Sequence, residues 1–328
     1  MLDHNTNTNP FMNFYSIRRM ITLSSSRSLN RYHVRSVSFP GRSHPCTNKI
    51  EQVLNKIKTW DSPFSSSSLS FPKPEKVYEL LPMLVELYEC IEQLLALPIT
   101  QSHLFHHHQD TSVDGLLEGS VRFIDICSST REMVVMSKEA IHELQSVFRR
   151  NKVGDHLNIE SGIDSYARSR RKMHKEIEKT LTVLKQVDDG AVSHSDSPII
   201  RVLEEASLVS VSTFESLLMF LSSVPLLKPK PSRWSLASKL MRQKGALTNY
   251  HHGKKDNNLS DMEKVDLALG DLRLHKCDKE GGGAEKLELA QRRLETLDIN
   301  SEILEHGLEE LFKHMIRIRV SLLNHISE

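Results

Sequence analysis

A short serine motif near the start of the printed sequence has the spacing of a phosphorylation site. Residues 35–40 read Arg-Ser-Val-Ser-Phe-Pro, and Arg35 lies three positions before Ser38, as basophilic kinases require. Phosphorylation adds about −1.5 to −2 charges and three acceptor oxygens, which the arginine clusters of phosphoserine readers such as 14-3-3 capture. Arg35, Ser36, Ser38 and Pro40 are therefore candidate modification and docking residues. The alternative is a plain lead-in to the first helix.

A basic segment later in the chain combines positive charge with an apolar helical face. From Ser216 to Lys255 there are eight Lys and Arg residues and no acid, a net charge of +8. One face carries Trp234, Ala237, Leu240 and Met241. Such a face is typical of helices that lie on anionic membranes, and the candidate docking residues are Arg233, Trp234, Lys239 and Arg242. Asp256 to Phe312 holds fifteen acids against seven bases, a net charge of −8, so charge pairing within the fold is the simpler interpretation.

Other clusters give weaker chemical signals. Four histidines lie close together, at His103, His106, His107 and His108. Adjacent histidines in a polar loop without fixed supporting groups are usually solvated, so no metal site is predicted. A second basic cluster comprises Arg168, Arg170, Arg171, Lys172 and Lys175. It has no interleaved aromatic residues, so we interpret it as a solvated helix face and expect no specific nucleic acid. Asp125 and Glu132 lack a histidine partner and are interpreted as surface charge.

The sequence contains none of the common motifs that position a phosphate, a nucleophile or a catalytic metal. P-loop, G-x-S-x-G, H-E-x-x-H and G-x-G-x-x-G patterns are absent, and Gly281 to Gly283 are not followed by the Lys-Ser/Thr pair of a phosphate cradle. We therefore expect a non-enzymatic protein without a cofactor. An enzyme or small-molecule carrier with a pocket between helices is the alternative from another class.

Apolar periodicity predicts a long helix at the end of the chain. From Leu287 to His325 apolar residues recur with alternating three- and four-residue spacing, over roughly 60 Å at 1.5 Å per residue. A second apolar row consists of Ile303, Phe312, Ile316, Leu323 and Ile326. This row predicts a stripe wider than a two-stranded coiled-coil contact, with several helices wrapped around it. The seam itself allows packing within one chain or between two, so the oligomeric state stays open.

The same periodicity predicts helices along most of the chain. Their expected ranges are just after Pro45 to Trp60, Glu75–Leu97, Ser112–Arg150, Ile159–Val187, Ser197–Ser222, Ser232–Arg242 and Met262–Leu272. Pro82 is expected to kink the second helix or mark its first turn, and Pro98 to close it. Strand patterns are absent. The predicted fold is all-α: an elongated antiparallel bundle of long helices over residues 45–328, with loops near 61–74, 100–111, 223–232, 245–260 and 275–284, after a disordered basic Ser-rich tail over 1–44.

Composition adds an expectation about compartment. Lys plus Arg (43) nearly balance Asp plus Glu (42), and 38% of the 328 residues are apolar. The four cysteines are scattered, as is typical of reduced, mostly buried thiols in an intracellular protein. The richest apolar window, Phe214 to Leu227, is too short and too polar to span a membrane. We expect a cytoplasmic location, with organelle targeting by the acid-free, Arg- and Ser-rich tail as the alternative.

Six blocks of sequence, in order, resemble the plant BYPASS-related family. They are RSVSFPGRSHP (Arg35 to Pro45), LYECIEQLLALP (Leu87 to Pro98), LEGSVRFIDICSSTREMVVMSKEAIHELQSVFRR (Leu117 to Arg150), FESLLMFLSS (Phe214 to Ser223), WSLASKLM (Trp234 to Met241) and LFKHMIRIRVSLLNHIS (Leu311 to Ser327). The resemblance covers residues 35 to the C-terminus. It implies a role in root and shoot development, where founding members restrain a mobile growth-arresting signal, and it brings no catalytic residues.

Together these patterns predict a regulatory or scaffold protein of plant development that acts through protein partners, with a phosphoserine reader as one candidate. The alternative functions are a peripheral membrane adaptor that uses the basic Trp234 segment, and a small-molecule-handling bundle.

Overall fold

The computed structural model describes residues 45–61, 74–106, 111–150, 156–190, 197–222, 259–274 and 283–327. These ranges contain eight helices and no strand. The helices are α1 (Pro45–Asp61), α2 (Pro74–Leu95), α3 (Pro98–His106), α4 (Thr111–Arg150), α5 (His156–Gly190), α6 (Pro198–Leu221), α7 (Asp261–Leu274) and α8 (Gly283–Ser327). The all-α prediction is confirmed.

The two longest helices, α4 and α8, pack against each other in opposite directions. Ion pairs join Arg131 to Glu309 at 3.7 Å and Lys138 to Glu305 at 2.8 Å. Further along α4, His142 meets Asp298 at 2.9 Å. Residue numbers therefore rise along α4 as they fall along α8, which is the antiparallel arrangement.

A third helix, α2, runs parallel to α8. Leu81 lies so close to Gly307 that a Cβ atom there would sit 2.8 Å from the leucine Cδ2. Eleven residues further along α2, Glu92 contacts His314 of α8 at 2.7 Å. Residue numbers therefore rise together along α2 and α8, which is the parallel arrangement. The absence of a side chain at residue 307 is what lets these helices approach closely.

Cross-helix contacts orient α5 and α6 as well. Arg122 of α4 donates to the Gln186 carbonyl of α5 at 3.3 Å, which with the contact of Leu144 to Gly162 makes α4 and α5 antiparallel. The α6 helix runs opposite to α2. Its Ser210 lies 3.0 Å from the Tyr88 hydroxyl, and its Phe220 packs edge-on against Tyr78 at 5.4 Å between ring centroids.

Local capping explains where two helices begin. Ser197 accepts a hydrogen bond from the Ile200 amide at 3.3 Å, and Pro198 occupies the first helical position of α6, where a missing N–H costs nothing. Ser260 and Glu263 form a reciprocal capping box at the start of α7, with bonds of 2.9 and 3.1 Å. These contacts pair amide groups that a helix start otherwise leaves unbonded.

The predicted seam of α8 is the core of the bundle. Every described seam position from Ala290 to Leu322 is buried, mostly against α2, α4 and α7. The second row is different, and the prediction that it widens the buried stripe is wrong. Ile303, Ile316 and Leu323 are 51%, 39% and 39% exposed, and Phe312 is half-buried. The helices that cover α8 lie on one side of it, so the other side faces outward.

Some local predictions also need correction. The loop expected near 100–111 is helical as far as His106, because α3 begins at Pro98. Pro98 therefore starts a helix immediately after closing α2. Pro82 lies inside α2, eight residues after the helix begins at Pro74, so it does not mark the first turn. The short helix expected at Ser232–Arg242 falls outside the described residues, as do the tail over 1–44 and most of the remaining predicted loops.

Candidate functional site: a buried polar cluster around α7

The side chains singled out by sequence fall mainly outside the described residues. Arg35, Ser36, Ser38 and Pro40 do so, as do Arg233, Trp234, Lys239 and Arg242, and both sets stay predictions. Of the histidine cluster, His103 lies on α3. Within the described ranges no group of three His, Cys, Asp or Glu side chains has a metal-binding arrangement. Asp125 and Glu132 are exposed, as expected of surface charge.

The structure instead draws attention to Arg170 and Asp266, an ion pair buried between α5 and α7. The guanidinium of Arg170 lies 3.3 Å from the Asp266 carboxylate, and the side chains are 3% and 0% exposed. The same guanidinium donates to the Leu221 carbonyl at the end of α6, at 3.1 Å, and contacts the Met262 sulfur at 3.0 Å. The interpretation of Arg170 as part of a solvated face is therefore wrong, while Arg168 and its neighbours at 171, 172 and 175 are exposed.

Burial dominates the electrostatics of this pair. It raises the pKa of Asp266, and the guanidinium of Arg170 opposes that rise. Burial also raises the pKa of the adjacent Tyr166 hydroxyl, and the Asp266 carboxylate raises it further, so this phenol stays protonated. For Arg170, burial is the largest single influence and would lower the pKa, but the negative groups beside it, Asp266 first, together raise it, so the side chain stays charged. The pKa of Asp266 is thus set by two opposing influences, burial and the guanidinium, of which burial is the stronger.

A second polar group anchors the start of α7. Asp261 accepts hydrogen bonds from the Tyr78 hydroxyl of α2 at 2.9 Å and from the Asn300 amide of α8 at 2.8 Å. Its other carboxylate oxygen accepts from Lys264 at 3.0 Å. Burial is the main cause that raises the pKa of Tyr78, so its hydroxyl remains a donor. One carboxylate therefore joins three helices.

Two further contacts complete the attachment of α7. Arg293 of α8 donates to the Lys264 carbonyl at 2.7 Å, and Arg273 pairs with Asp164 of α5 at 2.9 Å. This helix of 14 residues is thus bonded to α2, α5 and α8, and Arg170 of α5 links it to the end of α6. Few of these partners are close in sequence, so periodicity could not reveal them. The one available signal was an Asp at position 266 within an otherwise apolar face of α7.

A small cavity, of about 50 Å³, lies between the described helices α2, α4, α6 and α8. It is lined by apolar side chains and by the hydroxyl groups of Tyr88, Ser120 and Ser207. Pockets for small molecules and cofactors are usually about 300–1,000 Å³. This space has room for a water molecule or a methyl group.

Two of the described cysteines, Cys90 and Cys127, are buried, and Cys46 is half-buried. Burial raises the pKa of Cys127 to about 12, so its thiol is protonated at neutral pH and is a poor nucleophile. The fourth, Cys277, lies outside the described residues.

A partly exposed cluster of Glu92, His314 and Arg317 joins α2 to α8. The Glu92 carboxylate accepts from His314 at 2.7 Å and from Arg317 at 2.8 Å. Burial tends to raise the pKa of Glu92, but these two donors outweigh it and lower the pKa below its usual value of 4.5. A lowered carboxyl pKa in the folded state stabilises the fold above about pH 4.5, and this contribution is lost as the pH falls through the folded-state pKa.

We expect Glu92→Gln to destabilise the protein above about pH 4.5 and to lose this effect in acid. The amide keeps the shape of the side chain but has no charge to attract Arg317. Urea unfolding of both proteins at about pH 6 and about pH 3 measures the difference. The exposed Glu89→Gln, on the same helix, serves as the control and should change little at either pH. An equal destabilisation of Glu92→Gln at both pH values would contradict the assigned ionisation.

The family model described as Protein BPS1, the BYPASS-related family, matches residues 80–324. The chain belongs to this family. The match extends from within α2 almost to the end of α8 and so includes the cluster around α7 except Tyr78. No curated protein and no solved structure matches the chain significantly.

Membership of the BPS1 family suggests a role in plant development and brings no known catalytic activity. Among the helices that the structure describes, none combines the length and the hydropathy needed to cross a bilayer.

Proposed function

We propose that the protein is a non-enzymatic regulatory scaffold of plant development that acts through protein interactions and is switched by phosphorylation of Ser38. Family membership supports the developmental setting. A scaffold acts through its surface rather than through an internal pocket.

The observation that carries the proposal is that buried polar groups of the bundle bond one helix to another. The buried charges of Arg170 and Asp266 bond helix to helix, and Asp261 does the same at the start of α7. The cavity of about 50 Å³ is several times smaller than a usual ligand pocket. Within the described ranges, these buried polar groups therefore hold the helices against one another. A rigid body of this kind suits presentation of surfaces to partners.

The proposed switch places a phosphate in a basic stretch of chain. No Asp or Glu occurs between Asp3 and Glu51, so a phosphate on Ser38 is the strongest negative charge in that region. The basic residue at Arg35 fits a kinase, and Pro40 two positions after Ser38 fits the binding groove of a phosphoserine reader. Binding would recruit a partner to the bundle without changing its core.

The experiment is affinity purification with mass spectrometry from plant tissue, comparing the wild-type protein with Ser38→Ala. We expect a defined set of partners, including a phosphoserine reader, to be lost from Ser38→Ala. Ser43→Ala is the matched control, because Pro40 rather than Lys or Arg lies three positions before that serine, and it should retain the set. Arg35→Ala should lose the same partners as Ser38→Ala. Identical partner lists for wild type and Ser38→Ala would refute the switch.

A further inference from the structure

An exposed face of α8 combines apolar and acidic side chains. Ile299 and Ile303, one helical turn apart, are 61% and 51% exposed. Glu295 and Glu302 are exposed on the same face, at helical spacings of four and three residues from Ile299. Glu302 is near enough to Lys138 of α4 to raise the pKa of that lysine, whose direct ion pair is with Glu305. The two isoleucines and the two glutamates together form a small exposed patch that is both apolar and acidic.

The chemistry of this face selects an occupant that is both cationic and apolar. Apolar contact with two isoleucines requires an apolar stripe, and two glutamates favour Lys and Arg beside it. The chain itself contains such a segment. Residues 228–244 carry Lys228, Lys230, Arg233, Lys239, Arg242 and Lys244, with no acid, and include the apolar face of Trp234, Leu240 and Met241.

The start and end of the connection between α6 and α7 lie at one corner of the bundle. Tyr78 packs against Phe220, two residues before α6's C-cap, and also donates to Asp261, the first residue of α7. Arg170 likewise bonds both the Leu221 carbonyl and Asp266. The described residues on either side of 223–258 therefore lie close to each other.

That corner adjoins the exposed face of α8. Asn300, immediately after Ile299, donates to Asp261 at 2.8 Å. Asp261 thus contacts a residue that is next to Ile299 and three positions before Ile303. At up to about 3.3–3.6 Å per residue, the 18 residues from Arg242 to Ser260 reach much further than this distance requires.

We propose that residues 228–244 of this chain dock on the α8 face formed by Glu295, Ile299, Glu302 and Ile303. The apolar side chains around Trp234 cover the two isoleucines, and the flanking Lys and Arg residues neutralise the two glutamates. The effective concentration of a tethered segment is high, because its two ends already lie beside the surface. Docking occupies the same basic residues that would otherwise contact an anionic partner.

Trp234 itself reports on this docking. The chain contains two tryptophans, Trp60 and Trp234, so Trp60→Phe leaves Trp234 as the only one. In this background we expect a blue-shifted Trp234 emission that is protected from iodide. Adding Ile299→Ser with Ile303→Ser should shift the emission to the red and raise quenching. Glu295→Lys with Glu302→Lys should do the same, and so should high salt, which screens the charge pairs.

Matched controls separate this face from general effects on α8. Ile316→Ser with Val320→Ser changes another exposed apolar pair, at the same spacing on the same helix. Glu132→Lys with Glu139→Lys changes an exposed pair of acids seven residues apart on α4, the same separation as Glu295 and Glu302. Neither should alter Trp234 emission. Circular dichroism of every variant should match the parent, since all the changed side chains are exposed.

Four outcomes would overturn the proposal. The first is a Trp234 that is as accessible to iodide in the parent as in the face variants. The second is an equal response to the control pairs. The third is a blue shift that disappears on dilution, which assigns the docked segment to a second copy. The fourth is a blue shift seen only after adding phosphatidylserine vesicles, which assigns the segment to a membrane.

Discussion

Arg170→Met is expected to lower the free energy of unfolding by about 3–5 kcal/mol, the usual cost of removing one partner of a buried ion pair. The substitution keeps much of the side-chain volume but leaves the Asp266 carboxylate without its counter-charge in a site that is 0% exposed. The Leu221 carbonyl loses its donor as well. Urea unfolding followed by circular dichroism measures the change.

Its controls test burial and charge separately. Arg171→Met alters the next residue, which is exposed, and should change stability by no more than about 0.5 kcal/mol. Arg170→Met with Asp266→Leu removes both charges and should regain most of the loss, because no unpaired charge remains. A loss for Arg170→Met no larger than that for Arg171→Met would contradict the buried pair.

The pH dependence of Arg170→Met provides an independent check. Without the guanidinium, the main group that opposes the effect of burial is lost, so the pKa of Asp266 rises further above its ordinary value of 3.8. A carboxyl with a raised folded-state pKa binds a proton on folding. Because the pKa of Asp266 is raised in the wild type as well, the variant should regain stability relative to wild type as the pH falls from the variant's folded-state pKa towards that of the wild type, by up to about 1.4 kcal/mol per pH unit.

Ile318→Ala is expected to cost about 2–5 kcal/mol, the range for removing a large aliphatic side chain from a packed core. Ile318 is 6% exposed on the buried seam of α8 and belongs to the main hydrophobic cluster. Ile316→Ala, two residues earlier on the same helix, is the matched control. Its side chain is 39% exposed, so it should cost much less.

The comparison of these two isoleucines tests the corrected second row directly. A second row buried by several neighbours would make the two substitutions similarly destabilising. Thermal or urea unfolding of the two variants distinguishes the cases. If Ile318→Ala does not fold, the milder Ile318→Val takes its place and should cost about 0.5–1.5 kcal/mol.

Local pattern was sufficient for the helices themselves. The 3.6-residue periodicity predicted α1, α2, α4, α5, α6, α7 and α8 to within a few residues at most boundaries, because an amphipathic helix must repeat its apolar residues to bury one face. The α8 seam from Ala290 to Leu322 was predicted residue by residue for the same reason. The resemblance to the family was also visible in the sequence, and the family match over residues 80–324 confirms it, although the block at Arg35 to Pro45 lies outside that range.

The width of each buried stripe depended on the tertiary structure. Periodicity identifies which residues share a face but not how many neighbouring helices cover it. Ile303 and Ile316 have the same residue type as Ile318, yet only Ile318 faces α8's partners. Apolar side chains on an uncovered face are equally compatible with the sequence pattern, since their exposure is decided by packing elsewhere.

The polar cluster around α7 also depended on the tertiary structure. Arg170 looked like one of several bases on a solvated face, and what distinguishes it is an aspartate 96 residues later and a carbonyl 51 residues later. Such contacts depend on which helices become neighbours, and no local period encodes that. The sequence by itself determined an all-α chain with a long apolar seam. Only the assembled bundle decided which charges are buried together and which apolar face is left open, because burial is a property of neighbours and not of residue type.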